Sequence, residues 1–151
     1  MIIDSPVGKL KIVESELGVS ELIFGKKSEE KMDSAFSEAA HQIKEYFDGK
    51  RKVFELKLDL KGTDFQLKVW NELLKIPYGK TISYEDLAMR LGDEKVIRAA
   101  ASANGKNPIP ILVPCHRVIG KDGSLTGYSG QLWRKEMLLR HEGVLKQTTI
   151  F

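Results

Sequence analysis

Hydrophobic and polar residues alternate near the start of the chain. Leu10 and Ile12 fall on one side of an extended run, and apolar residues recur over 19–24, directly after Gly18. A period of two is typical of strands that bury one face, and a glycine between two such runs favours a turn. The pattern predicts a strand hairpin or meander.

A helical period and then a further alternation follow. From Ser34, apolar residues return at helical spacing as far as Phe47, where Asp48 and Gly49 end the run. Residues 53–58 alternate again, which predicts another strand. Together these elements predict a small α/β subdomain over residues 1–60, in which no motif indicates chemistry.

The pattern after this subdomain is helical. Thr63 and Gln66 have the spacing of a capping box, and an apolar stripe runs from Phe65 to Leu74 before Pro77 stops the helix. The sequence therefore predicts a second domain, residues 61–151, that opens with a capped helix.

Two short helices are predicted next. Ser83 caps a helix from Tyr84 to Leu91, Gly92 makes a turn, and a second helix runs from about Glu94 to Ala103. Two short helices joined by a glycine turn are a helix-turn-helix pattern.

The second of these helices has few side chains that could read base edges. Its body, Arg98 to Ala103, is alanine except for Arg98 and Ser102, which makes it unsuited to readout in the major groove. A slim helix suits the narrower minor groove, where binding is mostly independent of sequence. Burial of an alanine-rich helix against its neighbours explains the pattern equally well, so both interpretations stay open.

Composition and charge narrow the classes of protein. The chain has 151 residues, 42% hydrophobic and 30% charged, a globular balance that suits one domain or two small packed ones. No apolar run reaches the roughly 20 residues of a membrane helix, and the N-terminus does not resemble a signal peptide. A cytoplasmic protein without membrane association is expected. The net charge is −2 over residues 1–60 and +5 over 61–151, which favours the second half as the partner of a polyanion.

The only cysteine is Cys115, and the three histidines are scattered. An internal disulfide is excluded and no zinc-ligand spacing is present, so no metal and no cofactor are expected. Cys115 follows a segment with three prolines in eight residues, 107–114, which bars a helix and is expected to keep the chain extended. Taken alone, such a cysteine is typical of an inert core residue.

The residues after Cys115 favour a reactive thiol. His116 supplies a base and Arg117 a fixed positive charge, and either can favour a thiolate. Neighbouring residues of an extended chain point to opposite sides, however. Cys115 and His116 would therefore need a turn or a bridging water to act together.

The run Pro114-Cys115-His116-Arg117-Val118 resembles the active-site signature of the O6-alkylguanine-DNA alkyltransferases. The likeness covers roughly residues 63–143 and includes the following further segments: Ser83-Tyr84, Arg98-Ala99, Asn107-Pro108, Tyr128-Ser129-Gly130 and His141-Glu142-Gly143. The resemblance implies a small ribonuclease H-like N-terminal subdomain followed by a winged helix-turn-helix-like domain. It also implies DNA repair by stoichiometric transfer of an alkyl group to the protein, without a cofactor.

The resemblance assigns the chemistry to a few residues. Cys115 would be the nucleophile that displaces guanine at the alkyl carbon. His116 would take the thiol proton through a water and would be oriented by Glu142. Tyr84 would donate a proton or hydrogen bond to the departing guanine. Without the family, His116, Glu142 and Tyr84 would be interpreted as a surface imidazole, a carboxylate at a helix end and a packing residue.

The same resemblance implies a guanine pocket and a DNA-binding helix. Val118 and Ser129 would shape the pocket through backbone groups, Tyr128 would close it and Gly130 would permit close approach. The following residues would serve DNA binding and the link from the helices to the active-site loop: Arg98, Ala99, Ser102 and Asn107. The partner would be double-stranded DNA bound at its minor groove by a monomer, with Arg98 replacing the O6-alkylguanine that is flipped out.

The chain departs from the family pattern in three respects, and two other classes of protein have to be considered. Ala100-Ala101-Ser102 stands where the family commonly has glycine, and Gln131 replaces a frequent second glycine. The zinc-ligand cysteines of some members are absent. A noncatalytic alkyltransferase-like protein would carry tryptophan in place of Cys115, and a winged helix-turn-helix regulator would carry base-reading side chains on its second helix. Cys115 and the alanine-rich helix disfavour these two classes.

Overall fold

The computed structural model describes residues 1–25, 37–126, 128 and 131–145. The chain forms two compact units, Met1–Lys61 and Gly62–Phe151. The strands and helices, in chain order, are β1 Ile2–Ile3, β2 Leu10–Ser15, β3 Gly18–Phe24, α1 Glu38–Phe47, α2 Asp64–Leu73, β4 Ile82–Ser83, α3 Tyr84–Arg90, α4 Ile97–Gly105, β5 Val118–Ile119 and α5 Leu132–His141. None of the described helices is long and apolar enough to cross a membrane.

The first unit contains an antiparallel sheet in the order β1-β2-β3, so the predicted hairpin is confirmed. Gly18, the first residue of β3, lies directly against the backbone of Lys57. A Cβ at this position would collide with the Lys57 carbonyl, and the φ angle of +143° also favours glycine. Helix α1 begins after the cap Ser37, and the predicted start at Ser34 lies outside the described residues. The buried apolar side chains of the sheet and helix include Leu10, Ile12, Val19, Leu22, Ile43 and Tyr46.

The strand predicted over residues 53–58 is wrong. Only one isolated bridge, from Leu58 to Val19, forms there. The side chain of Gln42 instead binds both backbone groups of Glu55. The Glu55 N–H donates to Gln42 Oε1 at 2.9 Å, and Gln42 Nε2 donates to the Glu55 carbonyl at 3.2 Å. Gln42 thus satisfies the backbone of Glu55 in place of a partner strand. The segment meets β3 only at its end, where Val19 N–H donates to the Lys57 carbonyl at 2.9 Å and Asp59 N–H donates to the Val19 carbonyl at 2.7 Å.

The second unit is mainly helical. The predicted capping box of α2 is present, with Thr63 and Gln66 satisfying each other's backbone groups. The indole N–H of Trp70 donates to the carbonyl of Ala103 at 2.9 Å, which joins α2 to α4. The second helix of the predicted pair differs in its first turn, because Glu94–Val96 is a 3₁₀ turn and α4 begins only at Ile97.

The short parallel pair of β4 and β5 brings two parts of the second unit together. Ile82 pairs with Val118, and Ser83 with Ile119. Ser83 is also the cap of α3, with its own capping box, so the start of that helix lies beside the strand that follows Cys115. This pairing positions Tyr84, the first residue of α3, close to the cysteine.

Candidate active site

Cys115 opens a 3₁₀ turn, Cys115–Arg117, and is 4% exposed. Its backbone N–H donates to the carbonyl of Val113 at 2.8 Å. One of the two arrangements that Cys115 and His116 were expected to need in order to act together, a turn, is therefore present. In a 3₁₀ turn both side chains belong to one tight bend, and both are buried in the second unit.

The segment before Cys115 doubles back on itself rather than staying extended. Val113 N–H donates to the carbonyl of Ile109 at 2.9 Å, and Ile111 has a φ of 74°, which is uncommon for a β-branched residue. Asn107 braces the turn: its Nδ2 donates to the Val113 carbonyl at 2.7 Å, and its Oδ1 accepts from Ile109 N–H at 2.9 Å. The prolines exclude a helix, as expected, but the asparagine sets the path of the loop.

His116 and Glu142 form a buried pair. His116 Nε2 lies 2.8 Å from Glu142 Oε2, and His116 is fully buried. Burial raises the pKa of the Glu142 carboxyl, but hydrogen bonds and positive charge from His116 and Arg117 outweigh it and hold that pKa below its usual value. An ionised carboxylate can only accept, so Nε2 donates its proton and Nδ1 keeps a lone pair. Nδ1 has no hydrogen-bond partner among the described residues.

Arg117 serves Glu142 rather than the thiol. Its Nε and Nη2 donate to the two carboxylate oxygens at 2.8 and 3.0 Å, and its Nη1 donates to the carbonyl of Ile76 at 2.6 Å. This two-point contact fixes the plane of the carboxylate. The sequence placed Arg117 beside Cys115 but contained no sign of this contact, because the partner is 25 positions away.

The thiol of Cys115 is neutral at rest, which corrects the expectation of a favoured thiolate. Burial raises the pKa of Cys115 to about 11, and the opposing effects of Asn107, Lys135 and backbone hydrogen bonds do not overcome it. Burial also lowers the pKa of His116, against the influence of Glu142. Near pH 7 the site therefore holds a neutral thiol and a neutral imidazole, so a proton must leave the sulfur as it reacts.

Tyr84 and Lys135 share one backbone carbonyl. The Tyr84 hydroxyl donates to the Thr126 carbonyl at 2.8 Å, and Lys135 Nζ donates to the same oxygen at 2.7 Å and to the Val118 carbonyl at 2.6 Å. Burial lowers the pKa of Lys135 to about 8. Lys135 was not predicted from the sequence. The signal that could have identified it is its position on the side of α5 that also buries Leu138 and Leu139.

Two of the four residues predicted to form the guanine pocket are described by the structure. Val118 is fully buried at the start of β5, and Tyr128 is 8% exposed. Ser129 and Gly130 lie outside the described residues. No group of three or more potential metal ligands occurs among the described residues.

Helix α4 has two different faces. Ala100, Ala103 and Asn104 are buried, whereas Arg98, Ala99 and Ser102 are exposed. Burial against the neighbouring elements therefore accounts for one face of the helix, whereas binding of the other face in the minor groove stays a prediction. The exposed face carries one long side chain and otherwise small ones.

Comparison with known proteins gives consistent matches. The family model for the 6-O-methylguanine DNA methyltransferase DNA binding domain matches residues 64–144, and the model for the ribonuclease-like domain of the same family matches residues 1–60. The methylated-DNA–protein-cysteine methyltransferase of Methanosarcina barkeri is 46% identical over 149 residues, covering 93% of this chain and 94% of that protein. The constitutive enzyme of Bacillus subtilis is 44% identical, with 84% of each chain covered.

Solved structures agree with these matches. The crystal structure of the O6-methylguanine methyltransferase of Mycobacterium tuberculosis has a TM-score of 0.84 and 44% identity, covering 93% of this chain and 90% of that one. A structure of M. tuberculosis OGT in complex with DNA has a TM-score of 0.85 and 45% identity, with the same coverage. The chain belongs to the 6-O-methylguanine DNA methyltransferase family, with a ribonuclease-like domain followed by a DNA binding domain.

Proposed function

We propose that this protein repairs DNA by moving an alkyl group from the O6 of guanine onto the sulfur of Cys115. The observation that carries the proposal is a buried, single cysteine whose neighbour His116 is bonded to Glu142 at 2.8 Å. In the transfer, a bond forms between sulfur and the alkyl carbon while the bond from that carbon to O6 breaks. The thiol proton leaves the sulfur, and the departing guanine takes a proton in return.

His116 is the base in this proposal. Its Nε2 is engaged with ionised Glu142, so Nδ1 is the nitrogen with a lone pair for the thiol proton, received through a water. Arg117 and Glu142 keep the ring oriented, and the carboxylate stabilises the imidazolium that forms. A base that is neutral before the reaction suits a thiol with a pKa of about 11.

Tyr84 assists the leaving group in this proposal. At rest its hydroxyl donates to the Thr126 carbonyl, so an incoming guanine has to replace that carbonyl as the acceptor. The pocket for the base is proposed to be formed by Val118, Tyr128, Ser129 and Gly130. Two carbonyls near it are already fixed by Lys135, which supports a preformed wall.

The helix pair of α3 and α4 is proposed to act as a winged helix-turn-helix that binds the minor groove of double-stranded DNA. The slim exposed face of α4, with Arg98, Ala99 and Ser102, supports close approach to the groove. Arg98 would occupy the space of the flipped nucleotide, since a stacked base cannot reach a buried thiol. We further propose that a monomer acts, inside the cell where its DNA substrate is.

The domain assignment follows the same division of labour. Residues 61–151 would carry both DNA binding and alkyl transfer, and residues 1–60 would form the small ribonuclease H-like subdomain. All the side chains proposed for chemistry lie in the second unit, Gly62–Phe151.

Intact-mass analysis tests the proposal. Incubation with O6-benzylguanine should add one benzyl group per molecule, and digestion should map it to Cys115. A benzyl adduct on another residue, or no adduct on protein that is shown to be folded, would contradict the assignment of the nucleophile.

A further inference from the structure

Tyr78 lies in the turn between α2 and β4, and the proposed chemistry does not use it. Its hydroxyl donates to the carbonyl of His141 at 3.2 Å. The Cζ atom of Arg117 lies over its ring, 5.8 Å from the ring centroid. His141 is the last residue of α5 and directly precedes Glu142. One side chain therefore contacts Arg117 and the helix end that carries Glu142.

The neighbours of Tyr78 contact the same ion pair through their backbone. The carbonyl of Ile76 accepts from Arg117 Nη1 at 2.6 Å, and Gly79 N–H donates to Glu142 Oε1 at 3.4 Å, a long hydrogen bond. Gly79 has a φ of +78°, and a Cβ there would lie 3.3 Å from the Glu142 carbonyl, so the close approach favours glycine. The turn thus contacts both members of the pair.

The two contacts of Tyr78 act on the ion pair in different ways. A guanidinium over the face of an aromatic ring is attracted to it, and a pair that is shielded from water is attracted more strongly. The side chain of Arg117 is 8% exposed and that of Glu142 is fully buried. The last carbonyl of a helix has no partner within the helix, so the hydroxyl also anchors the end of α5. Burial and Glu142 raise the pKa of this hydroxyl, against the effect of Arg117, so it remains a donor near pH 7.

We propose that Tyr78 is a positioning residue for alkyl transfer, which holds Arg117 and Glu142 so that the carboxylate keeps His116 oriented for the thiol proton. The inference rests on the proposed function. The proton moves as described there, from the sulfur through a water to His116 Nδ1, while Glu142 stays ionised. Tyr78 acts through the ion pair and not on the reacting atoms.

The basicity of His116 reports on this role. Burial lowers the pKa of His116, Glu142 raises it, and the charges of Arg117 and Lys135 lower it. If Tyr78 no longer holds the pair, the contact between Glu142 and His116 weakens, and the pKa of the imidazole falls further. A residue that only supports the fold would change stability without changing this pKa.

Substitution of Tyr78 tests the inference. Tyr78→Leu removes the ring and the hydroxyl, and Tyr78→Phe removes the hydroxyl alone. The measurements are the Tm and the rate of Cys115 benzylation by O6-benzylguanine between about pH 5 and 8. On the plateau near pH 7, Tyr78→Leu should react about tenfold and Tyr78→Phe about threefold more slowly than the wild type. In both variants the fall of the rate at low pH should move about 0.5 unit lower.

A double-mutant cycle and a control separate positioning from folding. In the Glu142→Gln background, Tyr78→Leu should cause no further loss of rate, because its effect passes through the carboxylate. Tyr46 is fully buried in the first unit, and Tyr46→Phe removes a hydroxyl there. The rate and the pH profile of this control should equal those of the wild type, whatever its Tm.

Three results overturn the inference. They are a rate of Tyr78→Leu within about twofold of the wild type, a slower rate whose fall at low pH does not move, and losses of Tyr78→Leu and Glu142→Gln that multiply. The last two would show that Tyr78 supports the fold. If Tyr78→Leu does not fold, Tyr78→Phe replaces it, and a rate equal to that of the wild type would overturn the inference. A wild type that forms no benzyl adduct would contradict the proposed function itself.

Discussion

Proton transfer from Cys115 is the central event at the scale of single residues. Burial raises the pKa of the thiol to about 11 and lowers the pKa of His116. With His116 as the base, the rate of benzylation should be nearly flat between about pH 6.5 and 8 and fall at lower pH as the imidazole is protonated. A rate that rises about tenfold per pH unit across this range would show that only a preformed thiolate reacts.

The nucleophile itself gives a sharper prediction. Cys115→Ser should abolish alkyl transfer, because a hydroxyl without a stronger base is a far weaker nucleophile. The affinity for alkylated duplex DNA should be largely kept, since the proposed DNA-binding residues lie on the exposed face of α4. Binding and product formation can be measured on the same labelled oligonucleotide. Undiminished transfer by the variant would contradict the role of Cys115.

Glu142 links stability to pH. Its pKa is held below the usual value in the folded protein, so the unfolded chain binds a proton at a higher pH than the folded one does. The stabilisation is complete above the unfolded pKa of about 4.3 and is lost as the pH falls further, through the folded pKa. The free energy of unfolding, measured by urea titration, should therefore decrease below about pH 4.5 and decrease less in Glu142→Gln.

How far the site could be predicted depended on the kind of residue. Cys115, His116 and Arg117 stand together in the chain, so a candidate nucleophile and base were visible without a structure, but the contact of Arg117 with Glu142 was not. Glu142 was found only through the family resemblance, because it reaches His116 across 26 positions. Lys135 belonged to no motif, since its partners are backbone carbonyls that any residue could supply.

At the scale of elements, the contact between α2 and α4 offers a test of packing. Trp70 is 2% exposed and donates to the Ala103 carbonyl at 2.9 Å. Trp70→Phe should lower the free energy of unfolding by about 1–3 kcal/mol, because the buried acceptor loses its donor and the ring leaves a gap. Trp133 is 44% exposed and gives a matched control. Trp133→Phe should change the free energy of unfolding by about 0.5 kcal/mol or less. Equal losses would show that the buried bond adds no stability.

Elements were predictable where the signal was local. The capping box of α2 and the alternation of β2 and β3 depend on residues a few positions apart, and both appear as expected. The strand expected over 53–58 is wrong because Gln42, a residue of α1, satisfies the backbone of Glu55, and only the end of the segment pairs with Val19. The extended chain expected over residues 107–114 is also wrong, because proline excludes a helix without requiring an extended conformation. The hydrogen bonds of Asn107 set the conformation of this loop instead.

At the scale of the whole molecule, DNA binding and chemistry can be separated by the choice of substrate. Arg98 is exposed on α4 and is proposed to occupy the space of the flipped nucleotide. Arg98→Ala should slow repair of O6-methylguanine in duplex DNA much more than reaction with free O6-benzylguanine, because only the duplex requires flipping. Equal losses on both substrates would show that Arg98 supports the pocket or the fold instead.

The central claim is that each molecule transfers one alkyl group to its own cysteine. A thioether is a poor leaving group, and the chain has no second cysteine to accept the alkyl group. Titration of a duplex containing O6-methylguanine against a known amount of protein measures this directly, with repaired guanine counted per protein molecule. One guanine repaired per molecule, with all the methyl on Cys115, is the expected result. Clear multiple turnover, or repair without methylated Cys115, would contradict the account.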